Sequence, residues 1–505
     1  MLRRDHLLCV LAIGVLAAWS LVHWYVDERT WVDDAWISFK YSRALISGEG
    51  FTYNLEDGPV EGFTNLAWVL LVAGAMKLGA APEVFSRTLG LASHLAVIAL
   101  IASLGWRKGS RSATAKLAAL LLAAVPGATH GLLGIAGSGL ETAFAALLIV
   151  VLAELTERPR PALVVFVSVL LCATRPDGLL FVASWFGVMV TFHAELRREV
   201  MKTGVVVVTL LALLMLWKAS YFGSVVPNTY FAKSADLPAW RIGWEFWNGF
   251  ALSEPGVIGI GLLFFALCFR FLRASTAFPL IALSLYVLYV AKVGGDFMEY
   301  RFAYQVLPLL AWAVTRGLVE LEGDHVRLAS VGVCAGCLGL ALLPPVEPQF
   351  GFAPLVHMNR LVGEGLSIGA RLRAVLPPET RLATTLAGTL PYEWRGFVVD
   401  QWGLTDAYVA HLPDRPVVNR GHVKFAPTEY LQKRGVNLVV EHPHVCSCAK
   451  GCDGGEAHIY IRLAGDQCLR TRYLVQSPEL TARFCSDATF VPRHVDCGAS
   501  SRAQR

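Results

Sequence analysis

The chain has 505 residues, of which AVILMFWYC make up 55% and charged residues only 16%. No soluble core can take so large an apolar share, and soluble domains average about 25% charged. A cytosolic globular enzyme, a coiled coil and a disordered chain are excluded, and a polytopic membrane protein remains. The net charge of +5 comes with no basic tail or stripe, so nucleic acid is not an expected partner.

Met1–His6 carries Arg3 and Arg4, and the apolar run Leu7–Val26 follows. A bilayer core of about 30 Å needs roughly 20 apolar residues, which this run supplies. No small-residue cleavage site closes it, so it reads as an anchor with a cytoplasmic N-terminus. Further apolar runs centre near Ala96, Leu121, Leu148, Val167, Met189, Leu210, Leu263, Leu285, Leu310 and Val333. With the first they predict about 11 transmembrane helices.

The segment Asn65–Gly79 is also apolar, but its length of about fifteen residues is short for a crossing. With that segment left out, Arg107/Lys108/Arg111, Arg158/Arg160, Arg197/Arg198/Lys202, Arg270/Arg273 and Arg316/Arg327 share one side with Arg3/Arg4. That is the positive-inside pattern, so 65–79 reads as a re-entrant or interfacial helix on the outer face. The same parity puts everything after Leu343 outside.

The cysteines agree with this topology. Of eleven, Cys9, Cys172, Cys268, Cys334 and Cys337 lie in apolar runs, where a thiol is a small hydrophobe. Cys446, Cys448, Cys452, Cys468, Cys485 and Cys497 crowd into the polar tail, and an even set there predicts disulfides in an oxidising compartment. His442 and His444 next to three of them give zinc as the alternative.

The domain organisation expected is a multi-span membrane domain over 1–343, with a first outer loop at 27–82, and an exoplasmic α/β domain over 344–505. Within the latter, Arg381–Thr385, Phe397–Asp400, Leu438–Glu441, His458–Leu463 and Arg472–Val475 read as strands, and His357–Val375 as a helix.

The polar residues gather in a few outer loops. The first begins W-V-D-D-A-W-I-S-F-K-Y-S-R, with Asp33 and Asp34 adjacent and Lys40 and Arg43 beyond. Adjacent carboxylates raise one another's pKa unless a cation neutralises them, which suits a general base or a metal site; capping of the helix that follows is the structural alternative. The loop returns through Glu61 and Asn65. Later loops present S-G-L-E-T with Glu141, T-R-P-D-G with Arg175 and Asp177, P-N-T-Y-F-A-K with Asn228 and Lys233, and G-G-D-F-M-E-Y-R-F with Asp296, Glu299 and Arg301. Glu141 also fits a helix N-terminus, and Arg175 and Asp177 also fit a mutual pair. Ionisable groups at membrane level are costly and point to function. A carboxylate that takes a proton, with Arg or Lys holding a leaving phosphate, suits transfer from a lipid-borne phosphate donor to a hydrophilic acceptor. Trp240, Trp244 and Trp247 form a stripe that reads as a membrane-interface belt, with a sugar-stacking platform as the alternative.

The motif D-D-A-W-I-S-F-K-Y-S-R-x-L-x-x-G-x-G-F-x-Y-N followed by V-E-G-F-T-N-x-x-W resembles the opening of GT-C membrane glycosyltransferases. Within that superfamily it is most similar to the cell-wall arabinofuranosyltransferase type that uses decaprenyl-phosphate arabinose. The resemblance continues through the four later loop motifs to W-G-L-T-D at Trp402–Asp406, and it stops short of the Cys-rich tail. It implies inverting transfer from a polyprenyl-phosphate sugar to an envelope glycan, with Asp33 or Asp34 as base and Asp33 preferred. Arg301, Lys233 and Arg175 are then the residues for the donor phosphate. Asp296 and Asn228 join them at the donor, while Lys40, Arg43, Glu61, Glu141 and Asp177 shape the acceptor side. No cofactor is assigned, and a divalent cation is the candidate. The implied location is a bacterial plasma membrane. A transporter or flippase of a lipid-linked solute fits less well, since transport sites lie near the midplane. A non-catalytic relative is disfavoured by retention of both aspartates.

Overall fold

The structure is a computed structural model. It describes residues 2–27, 30–107, 113–233, 239–270, 272–321, 324–342, 354–415, 423–442, 445–448, 456–463 and 465–497. Of the cations used above to orient the chain, the side chains of Arg3, Arg4, Arg107, Lys108, Arg111 and Arg327 lie outside the described residues, as do His444 and Cys452. The chain divides into two compact units that do not follow sequence order.

The first unit comprises Met1–Trp31, Thr64–Val225 and Asp236–His357 and is helical. Each of the eleven apolar runs falls on one helix: Leu2–Asp27, Pro82–Arg107, Ala113–Ala128, Thr142–Glu154, Pro161–Thr174, Gly178–Phe192, Arg197–Phe222, Pro255–Arg270, Ala274–Val293, Arg301–Glu320 and Asp324–Ala341. Among the described residues, five helices are individually long and apolar enough to cross a membrane. Counting Trp240–Ser253 and Pro255–Arg270, which meet at a 102° bend, as one broken span gives six. The remaining apolar helices include four of 13 to 16 residues. At 1.5 Å per residue these rise only about 20–24 Å, short of a core of about 30 Å. The segment expected to lie on the outer face is the 12-residue helix Leu66–Lys77, which rises about 18 Å and cannot span alone.

The second unit comprises Val32–Phe63, Val226–Ala235 and Met358–Arg505. Its seven-stranded sheet contains β1 (Leu382–Thr384), β2 (Val398–Asp400), β3 (Leu438–Val440), β4 (Val445–Ser447), β5 (His458–Arg462), β6 (Gln467–Tyr473) and β7 (Phe490–Arg493). The order is β2-β1-β3-β6-β5-β7, with β4 on β6; β1, β2 and β3 are parallel and the rest antiparallel. The parallel strands read L-A-T, V-V-D and L-V-V, and every residue in them is buried, as expected of strands covered on both faces. Their middle residues Ala383, Val399 and Val439 pack with Val409, Leu431 and Val436. The last strand expected, Arg472–Val475, lies instead within and beyond the end of β6, and β4 and β7 carried no strong alternation to announce them.

The two units do not follow the boundary expected near 343. Val32–Phe63 of the first outer loop and the segment Val226–Ala235 group with the C-terminal residues, whose backbone satisfies polar groups of both. The Asn54 amide both donates to the Val398 carbonyl (2.9 Å) and accepts its N–H (3.1 Å), completing the edge of β2. The Tyr53 hydroxyl donates to the Ala387 carbonyl at 2.7 Å, and Glu56 pairs with Arg381 at 3.1 Å.

The cysteines of the tail form Cys448–Cys468 and Cys485–Cys497 disulfides, and Cys446 is disulfide-bonded as well. The disulfide reading holds for these five, and it removes Cys446 and Cys448 as zinc ligands.

Candidate functional site

The carboxylate pair opens the helix Asp34–Ile46. Asp33 occupies the N-cap position, where an Asp side chain ordinarily accepts from its own helix. Here it makes no such bond. Its carboxylate turns away and accepts three hydrogen bonds from the loop after β1: the Gly388 N–H at 2.8 Å, the Thr389 N–H at 2.7 Å and the Thr389 hydroxyl at 2.6 Å. Both oxygens are used, and the residue is only 8% exposed. Burial pushes the Asp33 carboxyl up to about 6; the Thr389 and Gly388 hydrogen bonds oppose the rise, and neighbouring Asp34 adds to it.

Asp34 is different. Its side chain is 22% exposed and pairs with Lys233 at 3.7 Å, itself 30% exposed. Lys233 ends the short helix Asn228–Lys233 of the P-N-T-Y-F-A-K motif. Asp34 thus combines access with a cation at charge-pair distance, whereas Asp33 is locked. Both Asp33 oxygens are occupied by N–H and O–H donors. Among the described residues, no group of three or more His, Cys, Asp and Glu is placed to hold a metal ion.

The other residues expected in this half are mostly structural neighbours of the pair. Lys40 is buried with its ammonium 4.2 Å from the centre of the Tyr53 ring. Burial, followed by Arg43, brings its pKa down to about 7. Arg43 donates to the Tyr392 carbonyl at 2.8 Å and stacks on the same residue's ring. Asn228 spends its amide on two carbonyls of the W-G-L-T-D segment, Gly403 at 2.8 Å and Leu404 at 3.0 Å. The Asn228 N–H donates to the carbonyl of Glu61, whose side chain is buried.

The remaining expected residues form a second centre within the helical unit. Arg175 donates to Glu141 at 2.9 Å and, through Nε and a terminal nitrogen, to Asp177 at 3.0 Å. Glu141 also accepts from the Asn65 amide at 2.8 Å. The pairing of Arg175 with Asp177 anticipated as the structural alternative is present, and a second carboxylate joins it. Little of this guanidinium is left for a phosphate. Arg301 differs: its Nε is held by Asp296 at 2.6 Å, and among the described residues its two terminal nitrogens make no hydrogen bond. Both guanidiniums lie against Phe302, at 5.3 and 5.5 Å from the ring centre. Asp296 is placed by the two preceding glycines, Gly294 (φ +91°) and Gly295 (φ +82°), which take up the left-handed turn that other residues adopt only under strain. A Cβ on Gly295 would meet the Phe246 ring at 2.6 Å.

Known proteins share this architecture. The crystal structure of ArnT from Cupriavidus metallidurans bound to undecaprenyl phosphate superposes with a TM-score of 0.54 at 15% identity, over 91% of this chain and 97% of that one. The apo form of the same protein gives 0.52 at 14% identity, over 92% and 99%. The chain shares the fold of this ArnT.

Two relatives of this chain bear the name Terminal beta-(1->2)-arabinofuranosyltransferase. The one from Corynebacterium glutamicum is 31% identical over 143 residues, 25% of this chain and 21% of the relative. The one from Mycobacterium tuberculosis is 28% identical over 370 residues, 64% of this chain and 57% of the relative. The chain therefore matches about a fifth of one relative's length and a little over half of the other's. A family model described as Domain of unknown function (DUF8728) matches residues 357–493. The similarity to the arabinofuranosyltransferase type drawn from the motifs is thus present in aligned sequence.

The site also contains residues that sequence reading passed over. Gly388 and Thr389 hold Asp33, and Asp400, at the end of β2, is fully buried and accepts from Trp402 and Thr405. Burial pushes the Asp400 carboxyl up to about 6 as well. One signal was available: L-A-G-T follows an apolar three-residue strand, which is where parallel α/β sheets carry ligand-facing loops.

Proposed function

We propose that this chain is an inverting glycosyltransferase that moves a sugar, arabinofuranose foremost, from a polyprenyl-phosphate donor to an exoplasmic envelope glycan. The observation that carries the reading is the asymmetry of the carboxylate pair: Asp34 half-open beside Lys233, and Asp33 with both oxygens engaged.

In this reading Asp34, rather than the preferred candidate Asp33, takes the proton from the acceptor hydroxyl. The hydroxyl oxygen attacks the anomeric carbon from the face opposite the phosphate, and the new glycosidic C–O bond forms. The anomeric C–O bond to phosphate breaks, and its electron pair departs with the polyprenyl phosphate. Lys233, at charge-pair distance from the base, supplies a positive charge for the leaving phosphate. Arg301, whose terminal nitrogens make no hydrogen bond among the described residues, is the helical unit's own candidate for charge-assisted donation to a phosphate. The GT-C fold, the undecaprenyl phosphate bound by ArnT and the names of the two relatives support donor class and sugar.

The test is transfer by purified, reconstituted protein from decaprenyl-phosphate arabinofuranose to an arabinan oligosaccharide, paired with mass spectrometry of envelope glycans from cells with and without the protein. Expected is a product longer by one pentose and loss of that residue from the glycan of deficient cells. No transfer in vitro together with unchanged glycans would overturn the proposal.

A further inference from the structure

Asp33 is the more buried residue of the pair, and its surroundings show what it is for. Its carboxylate receives three donors from two consecutive residues of the C-terminal domain at 2.6 to 2.8 Å. The contact is built without slack on both sides. A Cβ on Gly388 would come within 1.9 Å of the Asp33 carbonyl oxygen, so only glycine lets the loop approach this closely. A Cβ on Gly365, on the helix Leu355–Val375, would meet the Thr389 hydroxyl oxygen at 2.0 Å. That helix therefore backs the hydroxyl from behind. Next door, the Ala387 carbonyl takes the Tyr53 hydroxyl at 2.7 Å, so three consecutive loop residues grip the first outer loop.

We propose that Thr389, with the backbone of Gly388, is a positioning residue: it fixes Asp33, and Asp33 holds the adjoining Asp34 in place to act as base. The proposal rests on the glycosyltransferase reading. Asp33 and Asp34 share a peptide, and the Asp33 carbonyl already accepts the Trp36 N–H at 2.9 Å. With side chain and carbonyl of Asp33 both held, Asp34 keeps only its own two side-chain torsions. A base held in this way loses little orientational freedom on the way to the transition state. The C-terminal domain is then part of the catalytic apparatus and not an appendage to it.

The Thr389 hydrogen bonds favour the ionised form of Asp33 against burial, while Asp34 beside it and Tyr53 are the titratable groups coupled to it. Removing the hydroxyl raises the Asp33 pKa further. The test compares Thr389→Val, Thr389→Ser and Thr389→Cys in the full-length reconstituted protein, with decaprenyl-phosphate arabinofuranose and an arabinan oligosaccharide. For Thr389→Val the expected result is a kcat lower by about 10- to 100-fold, a donor KM within threefold, and an acid limb moved to higher pH. Thr389→Ser should keep both kcat and limb. If the valine variant does not fold, the cysteine variant carries the test, because a thiol is a weak donor and should move the limb upward relative to serine. Wild-type kcat and pH profile in folded Thr389→Val, or identical profiles for cysteine and serine, would overturn the positioning role alone. An inactive wild-type protein would instead sink the glycosyltransferase reading and this proposal with it.

Discussion

The hydroxyl of Thr389 donates a 2.6 Å hydrogen bond to the carboxylate of Asp33, 356 residues earlier in the chain. This contact divides the labour of two adjacent aspartates, and it makes them separable by experiment. Asp33→Ala strands two buried N–H groups and a hydroxyl, each costing about 1–3 kcal/mol. Asp34→Asn removes a half-open carboxylate with one long ion pair, a change expected within about 0.5 kcal/mol. Both variants should lose transfer activity, but only Asp33→Ala should lower the thermal midpoint of the detergent-solubilised protein. Full activity in Asp34→Asn would remove Asp34 as base.

Part of this was legible in sequence and part was not, for physical reasons. Apolar runs long enough to matter leave a local signature, and each of the eleven coincides with a helix. The shortness of 65–79 is likewise a local property. Asp33, by contrast, looks from its own neighbours like a helix cap or a base. Its actual partners lie across a contact that no periodicity reports, next to a glycine whose need is visible only once two backbones meet. Arg175 shows the converse. Its pairing with Asp177 two residues away was readable, while Glu141, 34 residues away, was not seen to complete the pair.

That three-membered cluster gives a second prediction. Arg175 is 9% exposed at its side chain and neutralises two buried carboxylates. Arg175→Met leaves both without a cation, and breaking a buried pair in this way costs about 3–5 kcal/mol. Arg175→Lys cannot restore two-nitrogen contact with Asp177 and should recover only part of the loss. Glu141→Gln, which keeps one carboxylate against the guanidinium, should be the mildest of the three. Thermal midpoints in a single detergent check the order. If Arg175→Met folds normally and instead raises the donor KM, the residue belongs to the phosphate site after all.

Asn228 separates a structural from a ligand-binding role in the same way. Its amide holds the Gly403 and Leu404 carbonyls. Asn228→Ala should cost about 1–3 kcal/mol through two unsatisfied buried acceptors. The donor KM of the surviving folded fraction should stay near wild type. A large rise in KM without loss of stability would return Asn228 to the donor site.

The tail offers a redox prediction. Cys485 and Cys497 close a loop with a sequence separation of 12 beside the helix Pro478–Ser486. In the chain-entropy account a loop of this size is worth on the order of 3 kcal/mol. The double variant Cys485→Ser with Cys497→Ser should therefore unfold at lower denaturant than wild type. Non-reducing gels should show the corresponding mobility shift on adding reductant. Free thiols at these positions in the native protein would contradict the pairing.

Acidity should move activity and stability in opposite directions. Asp33 and Asp400 are both pushed by burial from about 3.8 to about 6 in the folded protein. A carboxyl with a raised folded pKa binds its proton more readily folded than unfolded, so folding takes up protons between those values. The stabilisation is complete below the unfolded pKa and is lost as pH rises through about 6. From this source the C-terminal unit should gain stability as pH falls from 7.5 to 5. Activity should fall over the same range, because a protonated Asp33 no longer offers two full acceptor oxygens to Gly388 and Thr389, and the base beside it loses its anchor. Asp400→Asn imitates the protonated state at the end of β2 and should flatten the stability profile while leaving the acid limb of kcat in place. Thermal midpoints and kcat measured across pH 5 to 8 on the same preparations decide the matter: stability and activity falling together below pH 6 would show that neither carboxyl behaves as its burial requires.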